Sequence, residues 1–259
     1  MTEFASTAAG PPQRGMPSGP VLVTGAAGDI GRAVVRRLLN EGRQVIGSDL
    51  GPRPPEFGEL PWVTADLSQA AGWASLANAS SGPLSGFVHV AGIVITQPLD
   101  EITADDWDRS FAIHVKAAFF IALTLRPRFT PDASIVLVGT VAARRASPEN
   151  LVYAATKAAL ASVAASLSAA FAIDGIRVNV VAPGLIDTTL TETTTARLSN
   201  MRGLTVAETA RMRLAGIPLG RAGQPDEVAA AIAWLLSRDA AYVTGTTVTI
   251  GGGLLAGST

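Results

Sequence analysis

Apolar residues occur along this chain in short runs that alternate with longer stretches of helical periodicity. From Val21 onward, each short run of mostly β-branched residues is followed by a segment whose apolar positions recur every three or four residues. The runs predict strands at Val21–Val23, Gln44–Ser48, Trp62–Thr64, Gly86–Val90, Ser134–Val138, Arg177–Val181 and Thr247–Ile250. The longer segments predict helices near Ile30–Asn40, Ala71–Ala79, Ala104–Leu125, Leu151–Ile173 and Pro225–Leu236. We therefore expect an α/β fold with a doubly wound, mostly parallel seven-stranded sheet, built as a single domain over residues 20–259.

Two segments depart from this alternation. The segment Gly51–Pro61, between the second and third strands, contains four prolines, so the crossover helix expected there is missing or vestigial. The segment 188–216 is long, rich in Thr at its start, and carries scattered Leu and Met residues. We expect it to form a substrate lid of one or two short helices, because long insertions in compact domains often serve function.

Composition and charge narrow the classes of function. The 259 residues are 48% hydrophobic and 16% charged, which suits a packed core. The formal net charge is −1 and the basic residues form no block, so nucleic acid is not an expected partner. The chain has no cysteine, and His89 and His114 are its two histidines. Neither a disulfide framework nor a metal site is expected from this composition.

The distribution of apolar residues also bears on the location of the protein. The most apolar stretch, Ala158–Ile173, is interrupted by three serines and is shorter than the ~20 residues that span a bilayer. We expect a buried helix there and no membrane association. Residues 1–19 are rich in Gly, Pro, Ser and Thr, without the basic and apolar regions of a signal peptide. We expect a disordered arm on a cytoplasmic protein.

A glycine-rich turn joins the first strand to the first helix. Glycines stand at positions 25, 28 and 31, and Asp29 and Ile30 lie between the last two. Glycines allow a backbone to approach a pyrophosphate, and the positive end of the following helix favours its negative charge. Such a turn by itself is also compatible with a plain tight turn. With its surrounding strands and helices, it predicts a Rossmann-like dinucleotide site.

An acidic residue ends the second strand. Asp49 follows Gly25 by 24 positions, close to the spacing at which a carboxylate reaches the ribose hydroxyls of adenosine. The same carboxylate would repel a 2′-phosphate, and no basic residue replaces Gly28 or directly follows Asp49. We expect NAD rather than NADP. The alternative interpretation is a solvated acid at a strand end, and Arg53 lies nearby in the sequence.

Tyr153 and Lys157 stand four residues apart near the start of a predicted helix, so their side chains project from one face. An ammonium group near a phenol favours its anionic form, and we expect Lys157 to lower the pKa of Tyr153 from about 10. Tyr153 would then exchange a proton with a substrate oxygen. An isolated match of this spacing also arises by chance in many helices.

These motifs together resemble the short-chain dehydrogenase/reductase family over nearly the whole chain, from Val21 to Gly253. The resemblance is carried by the glycine turn, Tyr153 and Lys157, and by motifs after the third, fourth and sixth strands and near the end of the chain. These last motifs are Asp66-Leu67, Ala91-Gly92, Pro183-Gly184-Leu185-Ile186-Asp187-Thr188, Ile217-Pro218-Leu219-Gly220-Arg221 and Gly223-Gln224-Pro225-Asp226-Glu227-Val228.

The resemblance implies roles for individual residues. It implies that Asp66 contacts the adenine and that Lys157 binds the nicotinamide ribose. The position of the family's substrate-orienting serine is Thr140, whose hydroxyl keeps a donor and an acceptor. The remaining residues that the resemblance assigns to the cofactor cleft are Gly25, Gly28, Asp29, Ile30, Gly31, Leu67, Ala91, Gly92, Tyr153, Pro183, Gly184, Ile186 and Thr188.

Three positions depart from the family pattern. Asp29 replaces a loop glycine, and we expect its charge to point away from a diphosphate. The usual Asn-Asn-Ala-Gly begins here with His89 and Val90, which removes an amide that supports the sheet. The family's fourth catalytic residue, an Asn, is replaced by His114. His114 is either a catalytic residue that holds a proton-relay water or a packed, hydrogen-bonded helix histidine.

The function predicted from these features is NAD-dependent hydride transfer between nicotinamide and a small-molecule secondary alcohol or ketone, with Tyr153 as general acid and base. A nucleotide-sugar epimerase or dehydratase, suggested by the glycine spacing, would need a larger region after the Rossmann-like core. A catalytically impaired regulatory protein that binds the cofactor is the alternative of a different class. The resemblance implies a homo-oligomer, a tetramer or else a dimer. The sequence shows no arginine cluster that would select a carboxylate or phosphate substrate.

Overall fold

Seven parallel strands form one sheet at the centre of the computed structural model, which describes residues 18–79 and 82–256. The strands are β1 Val21–Thr24, β2 Val45–Asp49, β3 Trp62–Thr64, β4 Leu84–His89, β5 Phe129–Val138, β6 Arg177–Pro183 and β7 Thr247–Ile250. Their order in the sheet is β3-β2-β1-β4-β5-β6-β7, and every neighbouring pair is parallel. The order reverses between β1 and β4, which is the switch point where Rossmann-like folds bind ligands.

Helices cover both faces of the sheet. The helices are α1 Asp29–Asn40, α2 Ala70–Asn78, α3 Ala104–Phe111, α4 Ala117–Leu125, α5 Leu151–Phe171, α6 Thr189–Arg202, α7 Val206–Ala215 and α8 Pro225–Leu236. Val21 and Val23 point from β1 into a core with α1 and α8, whereas Leu22 points into the opposite core with α2, α4 and α5. This alternation follows from the two-residue period of a strand that is buried on both sides. The predicted doubly wound, single-domain α/β fold is therefore confirmed.

The element boundaries differ from the sequence prediction at several ends. β5 begins at Phe129 rather than Ser134, because Pro131 and Asp132 interrupt the apolar run that was used to place it. β4 runs from Leu84 to His89, which is earlier than predicted. The single helix predicted over Ala104–Leu125 is divided into α3 and α4 by a π-helical turn at Ala112–Lys116.

The two unusual segments fold as predicted. The proline-rich crossover between β2 and β3 contains a single 3₁₀ turn, Pro55–Phe57, in place of a helix. The segment 188–216, which was expected to be a substrate lid, contains two helices, α6 and α7. Thr188 caps α6 by accepting a hydrogen bond from the Thr191 amide, and Thr205 caps α7. The arm predicted over residues 1–19 lies outside the described residues except for residues 18 and 19.

Two helical stretches are long enough to cross a membrane, whereas the most apolar stretch of the sequence, Ala158–Ile173, was expected to be too short. Ala104–Arg128 has 25 residues and Pro148–Asp174 has 27, and both are sufficiently apolar by composition. The apolar window of each is 39% buried inside the molecule. Core helices of water-soluble proteins can be equally long and apolar, so length and composition are weak evidence that a helix spans a membrane.

Candidate active site

The glycine turn between β1 and α1 is packed against the end of β4. Gly25 has a φ of 68°, and a Cβ added to it would lie 2.5 Å from the amide nitrogen of Ala91. A Cβ on Gly31 would lie 2.0 Å from the Gly25 carbonyl oxygen. These approaches require glycine. Gly28 caps α1 and, having no side chain, leaves the amide groups of its first turn free to face a ligand.

A cavity of about 660 Å³ lies over the carboxyl ends of β1, β2 and β4. Thirteen of the predicted site residues line it, which brings together positions spread over most of the chain. They are Gly25, Gly28, Asp29, Ile30, Gly31, Asp49, Asp66, Leu67, Ala91, Gly92, Tyr153, Lys157 and Thr188. The volume lies within the range of ligand pockets. We refer to it as the nucleotide cavity.

The carboxylates of Asp49 and Asp66 organise the rim of the nucleotide cavity. Asp49 accepts hydrogen bonds from the amides of Ala27, at 2.9 Å, and Leu50, at 2.8 Å. Asp66 accepts from the amide and the hydroxyl of Ser68, at 2.9 and 2.7 Å. Each carboxylate therefore stabilises its own loop through hydrogen bonds and also lines the nucleotide cavity.

Asp29 links the glycine turn to α6. Its Oδ2 atom accepts a hydrogen bond of 2.8 Å from the amide of Thr189, the first residue of α6. The carboxylate thus lies beside the positive ends of α1 and α6, where a negative charge is stabilised. This partner on α6 gives the carboxylate of Asp29 a structural role within the glycine turn.

Tyr153 stands where the nucleotide cavity meets a second cavity of about 550 Å³. Thr140, Pro183, Gly184 and Ile186 line the second cavity, and Thr188 lines both. We refer to the second space as the substrate cavity. Predicted residues from the loops after β5 and β6 therefore line the same cavity as Tyr153.

Lys157 lies one helical turn after Tyr153 and is 3% exposed. Its Nζ atom donates a hydrogen bond of 2.7 Å to the Val138 carbonyl and lies 5.8 Å from the centre of the Tyr153 ring. A Cβ on Gly92 would come within 3.6 Å of this ammonium nitrogen. One of the three ammonium donors is used by Val138, which leaves two available for a ligand.

The pKa values in the protein alone differ from the sequence expectation. Burial raises the pKa of Tyr153 to about 12, although a hydrogen bond with the Thr140 side chain acts in the opposite direction. Burial also lowers the pKa of Lys157 from 10.5 to about 7. The expected lowering of the Tyr153 pKa is therefore wrong in the protein alone, where its pKa is raised because burial disfavours the charged phenolate.

His114 is part of a series of hydrogen bonds that runs from Ile93 to the Tyr153 carbonyl. Its Nε2 atom accepts from the Ile93 amide at 2.9 Å, so Nδ1 carries the proton and donates to Thr156 Oγ1 at 2.8 Å. The Thr156 hydroxyl then donates to the Tyr153 carbonyl at 2.8 Å. Burial, followed by the charge of Lys157, holds the pKa of His114 well below 6.5. This geometry favours the packed histidine over the catalytic role that the sequence left open.

His89 replaces the missing family amide as a support for the sheet. It is fully buried, donates from Nε2 to the Ile113 carbonyl at 3.1 Å, and lies 3.0 Å from the Thr24 hydroxyl through Nδ1. It therefore connects β1 and β4 to the π-helical turn. Burial lowers the pKa of His89 to about 3, and the charge of Lys157 contributes.

The substrate cavity contains functional candidates that sequence reasoning missed. Arg145, Arg202 and Arg213 all line it, together with Glu149. The expectation that no arginine cluster is present is wrong, because three arginines separated by up to 68 positions line one cavity in the folded chain. No local motif in the sequence joins them.

The sheet order and the glycine turn at its switch point define the protein as a member of the Rossmann-like class. A family model described as enoyl-(acyl carrier protein) reductase matches residues 25–255. The chain belongs to the short-chain dehydrogenase/reductase family and is an oxidoreductase of that family.

Individual relatives agree with this assignment. An uncharacterised short-chain type dehydrogenase/reductase of Sinorhizobium fredii is 33% identical over 90% of this chain, which spans 43% of that longer protein. The (3R)-3-hydroxyacyl-CoA dehydrogenase of Homo sapiens is 31% identical over 90% of this chain and 94% of its own length. The crystal structure of BdcA in complex with NADPH has a TM-score of 0.80 and 30% identity, covering 92% of this chain and 94% of that one.

Proposed function

We propose that the protein is an NAD-dependent oxidoreductase that transfers hydride between nicotinamide and a secondary alcohol or ketone, with Tyr153 as the group that exchanges the proton. The observation that carries this proposal is the position of Tyr153 at the junction of the nucleotide and substrate cavities. A phenol in that place contacts a substrate oxygen while the carbon that bears this oxygen faces the nicotinamide.

The nucleotide cavity fits a dinucleotide. The glycine-capped start of α1 suits a diphosphate, and Asp49 suits ribose hydroxyls. Lys157 supplies two ammonium donors for the nicotinamide ribose. When bound, the nicotinamide supplies the hydride acceptor or donor.

The protein residues manage the proton and the orientation of the substrate. In oxidation, Tyr153 removes the proton from the substrate hydroxyl; in reduction, it donates a proton to the carbonyl oxygen. Thr140, which accepts a hydrogen bond of 3.2 Å from the Ala142 amide, presents its hydroxyl to the same oxygen. Because Tyr153 is protonated at neutral pH, it is ready for reduction, and the rate of oxidation should rise as the pH rises.

The preference for NAD rests on charge around Asp49. Lys157 is the only basic residue among the described residues that line the nucleotide cavity. Arg32 is held outside by the Ala27 carbonyl and Glu56, at 2.7 Å each. Replacing Asp49 by Asn should reduce the ratio of kcat/KM for NAD over NADP about 10-fold, because it removes repulsion of a 2′-phosphate. NAD and NADP must both be measured, because the similar protein BdcA was crystallised with NADPH. If Asp49→Asn left the ratio of kcat/KM for NAD over NADP unchanged, the assignment of NAD would be contradicted.

The proposed activity is tested by NADH consumption with a panel of small ketones, and by NAD reduction with the matching alcohols. Oxidoreductase activity requires NADH loss that depends on the ketone. NADH that binds but is not consumed with any member of the panel would favour a regulatory protein that has lost catalysis.

We also propose a homo-oligomer, a tetramer or a dimer, that buries the outer faces of α4 and α5. Leu123 on α4 is 43% exposed and Leu151 at the start of α5 is 40% exposed, and the outer face of α5 consists largely of alanine and serine. A second copy would cover these apolar positions and let two helices approach closely. Light scattering that shows a monomer at micromolar concentration would contradict this proposal.

A further inference from the structure

The substrate cavity carries an excess of positive charge. Its lining contains the three arginines Arg145, Arg202 and Arg213 and a single carboxylate, that of Glu149. The arginines come from the loop after β5, the last turn of α6 and the last turn of α7. Three separate elements therefore each contribute an arginine to the lining of the cavity that Tyr153 also lines.

One of these charges is neutralised within the protein. Arg202 donates to Glu149 at 2.5 Å, and this contact lowers the pKa of Glu149. Arg145 has no carboxylate within 4.0 Å among the residues that the structure describes. The cavity thus keeps a positive charge beyond the one that Glu149 balances.

Arg213 is the second guanidinium without an acidic partner in the described part of the chain. It is held by neutral acceptors, the Thr191 carbonyl at 3.2 Å and the Thr195 hydroxyl. Burial lowers its pKa, and repulsion from Arg202 lowers it further. A partly buried guanidinium beside a like charge is stabilised when an anion binds next to it.

The chemistry of guanidinium groups identifies the kind of ligand. Arginine presents a planar fork of N–H donors that matches the two oxygens of a carboxylate or phosphate. Because these groups share a cavity with Tyr153 and Thr140, the anion they bind would belong to the molecule that is oxidised or reduced. A neutral alcohol would leave the guanidinium donors without a charged partner.

We propose that the substrate carries an anionic group, a carboxylate or a phosphate, which Arg145 and Arg213 bind while Tyr153 contacts the alcohol or carbonyl oxygen. This inference rests on the proposed hydride-transfer function and adds its substrate class. The oxo acid is reduced by gaining hydride at its carbonyl carbon and a proton at its carbonyl oxygen, and NADH is oxidised to NAD.

The test compares kcat/KM for matched anionic and neutral ketones with NADH and the full chain. The pairs are acetoacetate with methyl acetoacetate, and dihydroxyacetone phosphate with dihydroxyacetone, so that they separate a carboxylate from a phosphate. We expect the wild type to prefer the anion of at least one pair about 10-fold or more. Raising the salt concentration should reduce this preference.

Variants assign the preference to particular residues. Arg145→Gln should lower the preferred anionic-to-neutral ratio about 10-fold. Arg144→Gln is the matched control, because Arg144 is adjacent and exposed but does not line the cavity. Glu149→Gln should raise the ratio, since it removes the negative charge in the cavity. A wild-type preference for the neutral ketone in both pairs, or a ratio equal in Arg145→Gln and Arg144→Gln, would overturn the proposal.

A binding measurement separates this proposal from the proposed function. Calorimetry of acetoacetate and of dihydroxyacetone phosphate with the wild type, Arg145→Gln and Arg213→Gln requires no turnover, and thermal melting checks that each variant is folded. Anion binding that weakens about 10-fold in a folded variant supports the anion site even if no ketone is reduced. Reduction of neutral ketones, with anion binding equal in all three proteins, would preserve the oxidoreductase and overturn the anion site.

Discussion

Replacing Lys157 by Met should stabilise the protein at neutral pH while abolishing turnover. The ammonium group is buried and has a pKa of about 7 in place of 10.5. At about 1.4 kcal/mol per pKa unit, holding this group in the folded protein costs about 4 kcal/mol at pH 7. Methionine is unbranched and apolar and removes that cost, but it forfeits the hydrogen bond to Val138, which contributes about 1–3 kcal/mol. The expected gain in the free energy of unfolding is about 1–3 kcal/mol at pH 7.

The sign of the pH dependence gives the sharper test. The folded pKa of Lys157 lies below the unfolded value, so between pH 7 and 10.5 the unfolded chain binds more protons and wild-type stability rises with pH. The cost should therefore fall from about 4 kcal/mol at pH 7 to about 2 kcal/mol at pH 9. The upper limit of pH 9 avoids the ionisation of tyrosines in the unfolded chain, which would oppose the trend because the folded pKa of Tyr153 is raised.

The assay is urea unfolding of wild type and Lys157→Met at pH 6, 7.5 and 9, at one protein concentration. Lys116→Met is a matched control at an exposed lysine, and it should show no such pH trend. The reasoning is refuted if the difference between Lys157→Met and wild type is constant from pH 7.5 to 9. A variant less stable than wild type at pH 7.5 would refute it as well.

Three further substitutions test the supports of the site. Gly31→Ala should destabilise the fold by about 1–3 kcal/mol and abolish NADH binding, because its Cβ would overlap the Gly25 carbonyl; thermal melting and NADH fluorescence measure both. Asp29→Ala should speed hydrogen exchange in the first turn of α6 about 10-fold, because Thr189 loses its carboxylate partner; unchanged exchange would argue against the link. Wild-type stability should fall as the pH drops below 6.5, and His114→Asn should reduce that slope by about 1 kcal/mol per pH unit, as measured by unfolding between pH 6.5 and 5.

The fold was predictable because its signals are local. β-branched runs, helical periodicity and the prolines between β2 and β3 depend on neighbouring residues, so the sheet, the missing helix and the two helices of the segment 188–216 followed from the sequence. The start of β5 did not follow, because Phe129 is assigned to the strand by its pairing with Leu84 of β4, across Pro131 and Asp132.

The parts of the candidate site that lie in local sequence motifs were predictable. The parts that depend on contacts between distant segments were not. The spacing of Tyr153 and Lys157 predicted their common face, but their pKa values depend on burial by several elements. The two hydrogen bonds that settle the state of His114 come from Ile93 and Thr156, 21 and 42 positions away. The arginines of the substrate cavity likewise meet only in the folded chain.

The most direct test of the central claim is the turnover of Tyr153→Phe with NADH and a ketone that the wild type reduces. Loss of the phenolic hydroxyl should lower kcat by about 10²–10⁴-fold, because no group at that position can then donate the proton. NADH affinity, measured by fluorescence, should stay within about threefold of the wild type, since Tyr153 contributes no charge to cofactor binding at neutral pH. A kcat for Tyr153→Phe close to that of the wild type would contradict the account.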